Sequence, residues 1–473
     1  MPDTSSPSLP HEQIERNFRE IAPPLSEAEA LFEANRCLYC FDAPCTHACP
    51  THIDVPAFIK KIASGNLLGS ARVIFDANPI GATCARVCPV EVLCEGACVE
   101  KTLMDKPIEI GRLQRFATDH VMRVGRDVLK AGEPNGRSVG VVGSGPAGLS
   151  CATYLARLGY DVTVYDRRPL PGGLDTYGMA EYKMTQRVST EEARAVERLG
   201  VKFRLETEIG RDVSFDDLEK GHDAVFLAVG LGETGKLGIA GEDLEGVYDA
   251  LYFIERIKSR EWASVPVGRT VAVIGAGNTA VDAVTQARRL GAGRVLMVYR
   301  RTREEMPAFD YEYELAKRDE VEFLWQTAPV EILADGDPAR VGALRCVRTE
   351  LGEPDSSGRR SVRPVEGSEF VVPVDVVIKA TGQQKIRELL SSVPGVELDA
   401  AGRVRVDAST MQTGNPKFFA GGDCVNGGRE AVDASQMGKL AASGIHAALS
   451  GERVEFAGAR VPLAEETQDV KAH

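Results

Sequence analysis

Eight of the chain's eleven cysteines lie within the first 98 residues, in two groups. The first reads Cys37-x2-Cys40-x4-Cys45-x3-Cys49-Pro50 and the second Cys84-x3-Cys88-Pro89-x4-Cys94-x3-Cys98. Thiols at this density either pair as disulfides or bind metal, and the redox compartment decides which. Residues 1–10 are polar and rich in Pro and Ser, without the basic-then-apolar layout of an export signal. They read as the start of a disordered lead-in, residues 1–24, to a cytoplasmic protein, where thiols stay reduced, so metal is expected. Structural zinc uses paired C-x2-C units or Cys/His mixtures. Here C-x2-C occurs once and each group contains a Cys-Pro step, as in runs that hold iron–sulfur clusters.

Two glycine-rich turns follow. Gly143-Ser144-Gly145-Pro146-Ala147-Gly148 comes after an apolar strand and opens a helix. Its first glycine makes the turn, its second lets backbone approach a pyrophosphate, and its third lets helix pack on strand. The helix N-terminus then offers its partial positive charge to the phosphates. Asp166 closes the next strand, where an acid accepts hydrogen bonds from a ribose. The second turn, Gly275-Ala276-Gly277-Asn278-Thr279-Ala280, has no such acid; its next strand ends in Tyr299, Arg300 and Arg301, with Arg303 close behind. Arginines there suit a 2′-phosphate, which favours NADPH over NADH, although they also fit an ordinary solvated patch. Two further turns, Ala380-Thr381-Gly382 and Gly421-Gly422-Asp423, follow strands. Asp423 is placed to meet the ribityl chain of a flavin, so the first nucleotide is expected to be FAD.

The elements that must position these groups are legible in outline. Residues 20–130 read as helical. Val55, Phe58, Ile59 and Ile62 repeat as one helix face and belong to a core. A second helix is expected over 113–124 and a linker over 131–138. Strand and helix then alternate: strands at 139–142, 161–165, 270–274 and 294–299, helices over 150–158 and up to 290, a strand-rich stretch over 371–419, and a last helix over 435–449. Such alternation predicts parallel sheets covered on both faces. Cys151, Cys346 and Cys424 lack C-x2-C partners and read as core or loop positions.

The 473 residues exceed one core, and three domains is the prior. Net charge is −13 and the isoelectric point about 5.3, so nucleic acid is not expected as a partner. No apolar run has the roughly 18 residues of a membrane helix.

Taken in order, these motifs resemble the electron-input module shared by the glutamate synthase small subunit and dihydropyrimidine dehydrogenase, including the separate small subunit of the bacterial two-subunit pyrimidine enzyme. The likeness runs over residues 25–449. It implies an α/β chain with an all-α N-terminal domain: a helical iron–sulfur domain (25–130), then an FAD domain (131–255 and 386–450) interrupted by an NAD(P) domain (256–385), with a tail over 451–473. Two 4Fe-4S clusters are implied, one on Cys37, Cys40, Cys45 and Cys98, the other on Cys49, Cys88, Cys94 and Gln114. Counting thiols disagrees, because Cys84 would complete the second set without Gln114. For FAD the resemblance implies residues 144–148, Asp166 and Arg167, the loop Gly172-Gly173-Leu174, Lys183, Gly422, Asp423, Glu430 and Ala431. For the nicotinamide nucleotide it implies residues 276–279, Arg300, Arg301 and 380–382. A further arginine of the NADPH-using pyrimidine enzymes falls at Pro307 here. Gln114 and residues 42–45 favour the pyrimidine type, whereas residues 348–355 look like the glutamate synthase type.

No side-chain acid or base is then required, since hydride passes from nicotinamide to flavin and electrons leave singly through the clusters. The pyrimidine reading implies an FMN-containing partner subunit that reduces uracil or thymine. The alternatives are a glutamate synthase small subunit, a ferredoxin:NADP oxidoreductase-like subunit of another complex, and a non-catalytic iron–sulfur scaffold or redox sensor.

Overall fold

The computed structural model describes residues 9–260, 262–336, 340–354 and 360–457. The cysteine-rich segment folds into helices whose starts are written in local side chains. Ser26 and Glu29 form a reciprocal capping box ahead of Glu27–Arg36. Asp54 caps Val55–Ala63, and Asn66 caps Leu67–Ala77. The expected stripe of Val55, Phe58, Ile59 and Ile62 is buried, packed with Ala30, Ile74 and Leu113 in one core. The long helix runs Ile110–Val124 and ends at Gly125 in the left-handed region. Short helices Gly81–Val87 and Val99–Met104 carry the second cysteine group between them.

After the linker, Ser138–Val142, Asp161–Tyr165, Lys202–Arg204, Ala224–Leu227 and Phe418–Ala420 make a parallel sheet. Its spatial order is Phe418–Ala420, Ala224–Leu227, Ser138–Val142, Asp161–Tyr165, Lys202–Arg204. The central strands are buried along nearly their whole length, as parallel strands covered on both faces must be. Helices Pro146–Arg157 and Ala431–Ser450 pack against each other over this sheet. Both start four residues earlier than the periodicity implied, the first because Pro146 fits the opening turn of a helix.

A second parallel sheet has the order Val247–Asp249, Val376–Lys379, Thr270–Ile274, Arg294–Val298, Glu322–Leu324. Beside it in sequence, Thr327–Ala334, Val341–Pro354, Arg360–Pro364 and Phe370–Pro373 form an antiparallel sheet. The expected strand-rich stretch 371–419 is therefore not one structure. Its strands serve three sheets, and helix Arg387–Ser391 interrupts it.

The chain divides into two compact units. One holds the helical segment together with the first sheet; the other holds residues 232–384 with residues 177–185 and the N-terminal helix. Two expectations are corrected. The resemblance implies that residues 232–255 belong to the FAD segment, but Val247 pairs with Val377 in the second sheet. Helix Ala250–Lys258 likewise buries Phe253, Ile254 and Ile257 in that unit. The disordered lead-in over 1–24 is also wrong for its described part. Helix His11–Asn17 buries Ile14, and Phe18 stands 5.0 Å from Trp262, ring centroid to ring centroid. Ile14 and Phe18 lie four apart, which puts both on one helix face, and the polar composition ahead of them masked this signal. Residues 1–8 and 458–473, parts of the lead-in and tail, lie outside the described residues. No described helix is long and apolar enough to cross a membrane.

Candidate cofactor and cluster sites

Cys37, Cys40, Cys45 and Cys98 line one cavity of about 360 Å³, its open mouth included, walled by Val55, Ile59 and Ile108. These are the four residues that the resemblance assigns to one cluster. Burial, then the proximity of Cys98 and Cys37, pushes the Cys45 thiol up to about 12. Thiols that raise one another in this way need a cation to become thiolates together. The second set also comes together. The Cys88 thiol is raised by a hydrogen bond with Cys84, by burial, and by the nearby Cys84, Cys49 and Cys94. Among the described residues no three or more His, Cys, Asp or Glu side chains are gathered tightly enough to hold a single metal ion. The two thiol sets suit the larger iron–sulfur group: four soft ligands around a cavity in one case, three or four in a buried neighbourhood in the other.

The fourth ligand of the second set has two claimants. Cys84 Sγ accepts from Asn78 Nδ2 at 3.1 Å. Gln114 is buried on helix Ile110–Val124, and its Nε2 donates to the Gly81 carbonyl at 2.7 Å. Glu192 accepts from the amides of Ala82 and Thr83 and from the Thr83 hydroxyl, at the start of helix Gly81–Val87. Burial nonetheless raises its carboxyl to about 7. The sequence reading missed Glu192, whose partners lie more than a hundred residues away.

The first glycine turn is held from several sides. A Cβ on Gly148 would stand 1.9 Å from the Gly143 carbonyl oxygen, so helix and strand meet here only through glycine. Asp166 Oδ2 accepts from the Ser144 amide and hydroxyl, and Oδ1 from the Arg168 amide. A carboxylate has about four acceptor sites, which leaves room for a sugar hydroxyl. Arg167 is exposed beside it. The Gly172 amide donates to the Ser144 carbonyl, and a Cβ on Gly173 would stand 2.8 Å from Gly145 Cα. The loop through Leu174 therefore lies directly on the fingerprint. Asp423 opens a short helix after Gly422, accepts from the Arg429 amide, and is raised by burial. Glu430 caps helix Ala431–Ser450. Asp166, Gly172, Gly173, Asp423 and Glu430 thus sit in one unit, around strands whose carboxyl ends form the usual ligand crevice of such sheets.

Lys183 is an exception. It lies in the other unit, paired with Asp282 at 2.7 Å and with Glu312, its side chain 11% exposed. Burial alone would lower its pKa, but the two carboxylates outweigh that and raise it. Within that unit the charge of Lys183 is answered by two buried carboxylates.

At the second turn a Cβ on Gly275 would meet the Ala380 carbonyl oxygen at 2.2 Å, which ties this turn to 380–382. Gly277 faces open space at the start of helix Asn278–Arg289. Asn278 accepts from the Phe309 amide, while Thr279, Thr381 and Gly382 are exposed. The arginines separate. Arg300 is exposed, whereas Arg301 is buried and donates through Nε and Nη2 to the Arg360 carbonyl at 3.2 and 3.1 Å. Arg303 pairs with Asp310 and lies over Tyr313. A phosphate at this strand end would meet Arg300 first.

These features define a class: a two-nucleotide oxidoreductase fold behind a thiol-rich helical segment. Comparison with known proteins agrees. Residues 14–126 match the family described as dihydropyrimidine dehydrogenase domain II, 4Fe-4S cluster. Residues 137–438 match the pyridine nucleotide-disulphide oxidoreductases. The glutamate synthase (NADPH) small chain of Escherichia coli K12 is 38% identical over 444 residues, covering 90% of this chain and 93% of that one. The NADP(+)-dependent formate dehydrogenase subunit beta of Moorella thermoacetica is 35% identical over 427 residues, covering 85% and 59%. Mycobacterium tuberculosis FprA in complex with NADPH shares the fold, with a TM-score of 0.55 at 20% identity over 68% of this chain and 87% of that one. The chain belongs to the iron–sulfur-containing pyridine nucleotide-disulphide oxidoreductases, the family that includes the glutamate synthase small chains. It is an oxidoreductase with a 4Fe-4S domain followed by FAD and nicotinamide-nucleotide domains.

Proposed function

We propose that the chain oxidises NADPH at FAD and passes electrons through two 4Fe-4S clusters to a partner subunit of the glutamate synthase type. One observation carries this: near-full-length similarity, at 38% identity, to a protein named as the NADPH-dependent small chain of glutamate synthase. Exposed Arg300 at the end of its strand supports NADPH. The two thiol neighbourhoods support two clusters. Bound FAD would accept hydride and release single electrons; the protein's part is to bind and orient. Asp166 and the 172–174 loop would hold the flavin's ribose and pyrophosphate, with Asp423 and Glu430 at its ribityl side. The pyrimidine partner that Gln114 suggested is the weaker reading, since the similarity to a glutamate synthase small chain covers 90% of this chain and 93% of that one.

The test is anaerobic isolation of the native complex, with NADPH added and co-purifying subunits identified by mass spectrometry. Rapid flavin bleaching and a very large partner with a glutaminase domain are expected. A modest FMN-barrel partner with its own ferredoxin-like cysteines would replace this assignment with the pyrimidine one. Failure of NADPH to bleach the flavin would point to a non-catalytic scaffold.

A further inference from the structure

Helix Ala431–Ser450 is built of small and apolar residues, and Lys439 is its one Lys, Arg, Asp or Glu after Asp433. Lys439 is 0% exposed. Its Nζ donates to the carbonyls of Thr51 at 3.0 Å and Ala457 at 2.9 Å, and stands 5.7 Å from the centre of the Tyr154 ring. Two carbonyls require only N–H donors, which a glutamine supplies without charge. Burying an ammonium costs several kcal/mol unless an anion answers it. The acid that acts on it, Asp76, is already paired with Arg157, so that pair brings little net charge. The thiol side remains. Thr51 is fully buried, and its hydroxyl lies 3.4 Å from Cys49 Sγ while its carbonyl takes the lysine's hydrogen bond.

On the reading that Cys49, Cys88 and Cys94 hold one of two clusters, we propose that Lys439 is the internal counter-charge of that cluster and sets its reduction potential. Three or four thiolates outweigh the positive charge of an iron–sulfur cubane, so the site is anionic and gains another negative charge on reduction. Burial lowers the Lys439 ammonium to about 7 while the nearby Cys49 opposes that shift; a cation held there beside an anionic cluster favours the reduced form. The same helix serves the flavin site. Residue 439 lies about 12 Å along the axis from residue 431, at 1.5 Å per residue. The charge therefore eases arrival of an electron at a cluster that shares a rigid element with the flavin.

The experiment is an anaerobic redox titration of the full chain followed by electron paramagnetic resonance, on wild type, K439M and K439R, at one fixed pH. The second cluster is identified as the signal lost in C88S. In K439M that signal is expected to be about tenfold less reduced at the wild-type midpoint, a displacement of about 59 mV for a one-electron couple. The other cluster should not move, and K439R should keep the wild-type value. Unchanged midpoints in K439M, or equal displacement of both clusters, would overturn the proposal. If K439M fails to take up iron and sulfide, K439R decides. Recovered loading supports a need for charge, and loss in both variants overturns it in favour of a need for shape. Wild-type protein with iron and sulfide for one cluster only would overturn the two-cluster reading, and this proposal with it.

Discussion

Replacing Lys183 by methionine separates its two possible roles. As the buried clamp seen here, Lys183 neutralises Asp282 and Glu312, whose side chains are 7% and 3% exposed. K183M keeps the stem and leaves two carboxylates facing each other without water. Breaking a buried pair in this way costs about 3–5 kcal/mol, or roughly a hundredfold to several-thousandfold in the folded ratio. With a urea slope of about 2 kcal/mol per molar, the unfolding midpoint of the nucleotide unit should fall by about 1.5–2.5 M. The assay reads this unit alone, because both tryptophans of the chain, Trp262 and Trp325, pack in its core. Adding D282N to K183M should recover part of the loss, since removing charge from both sides relieves the orphaned carboxylate. Flavin content should stay at wild-type level in variants kept below the transition. An unchanged tryptophan midpoint together with loss of bound flavin would refute the clamp and restore the flavin contact that the family resemblance implies.

Glu192 gives a pH dependence of defined sign. Its folded pKa of about 7 lies above the ordinary 4.5, so the folded state holds a proton that the unfolded state has lost. Stability is then full below pH 4.5 and declines as pH rises to 7, by on the order of 3 kcal/mol for this group; chemical denaturation across that range should show the decline in wild type and a shallower one in E192Q. The two fingerprints should respond oppositely to a methyl group. G148A places a Cβ against the Gly143 carbonyl and should abolish folding or flavin retention, measured by flavin absorbance of purified protein. G277A meets open space, so melting should stay within about 1 kcal/mol of wild type while the KM for NADPH rises. Iron content assigns the fourth ligand: C84S should keep both clusters and Q114L should lose one if Gln114 ligates, and the reverse result would hand the position to Cys84.

The sequence by itself carried the local patterns. Cysteine spacing, the glycine order of each fingerprint and the 3.6-residue stripe at Val55 to Ile62 are short-range patterns, fixed by backbone geometry within one element, and each was found where it was read. The chain could not say in advance which segments share a core. Residues 232–255 belong with the second sheet because Val247–Asp249 finds its edge beside Val376–Lys379, more than a hundred residues later. Ile14 and Phe18 become core because distant residues of that unit, Trp262 beside Phe18 among them, cover them. Lys183, which the resemblance implies for FAD, and Arg301, read for its charge, are partnered by Asp282, Glu312 and the Arg360 carbonyl, which carry no sequence signal. Lys439 makes the same point: a lone lysine on an apolar helix takes its meaning from the groups packed around it. Burial decides what a charge does, because its cost and its nearest answering group are properties of the packed interior. That interior is assembled from distant segments, and it alone brings Lys439 beside Thr51 and Cys49.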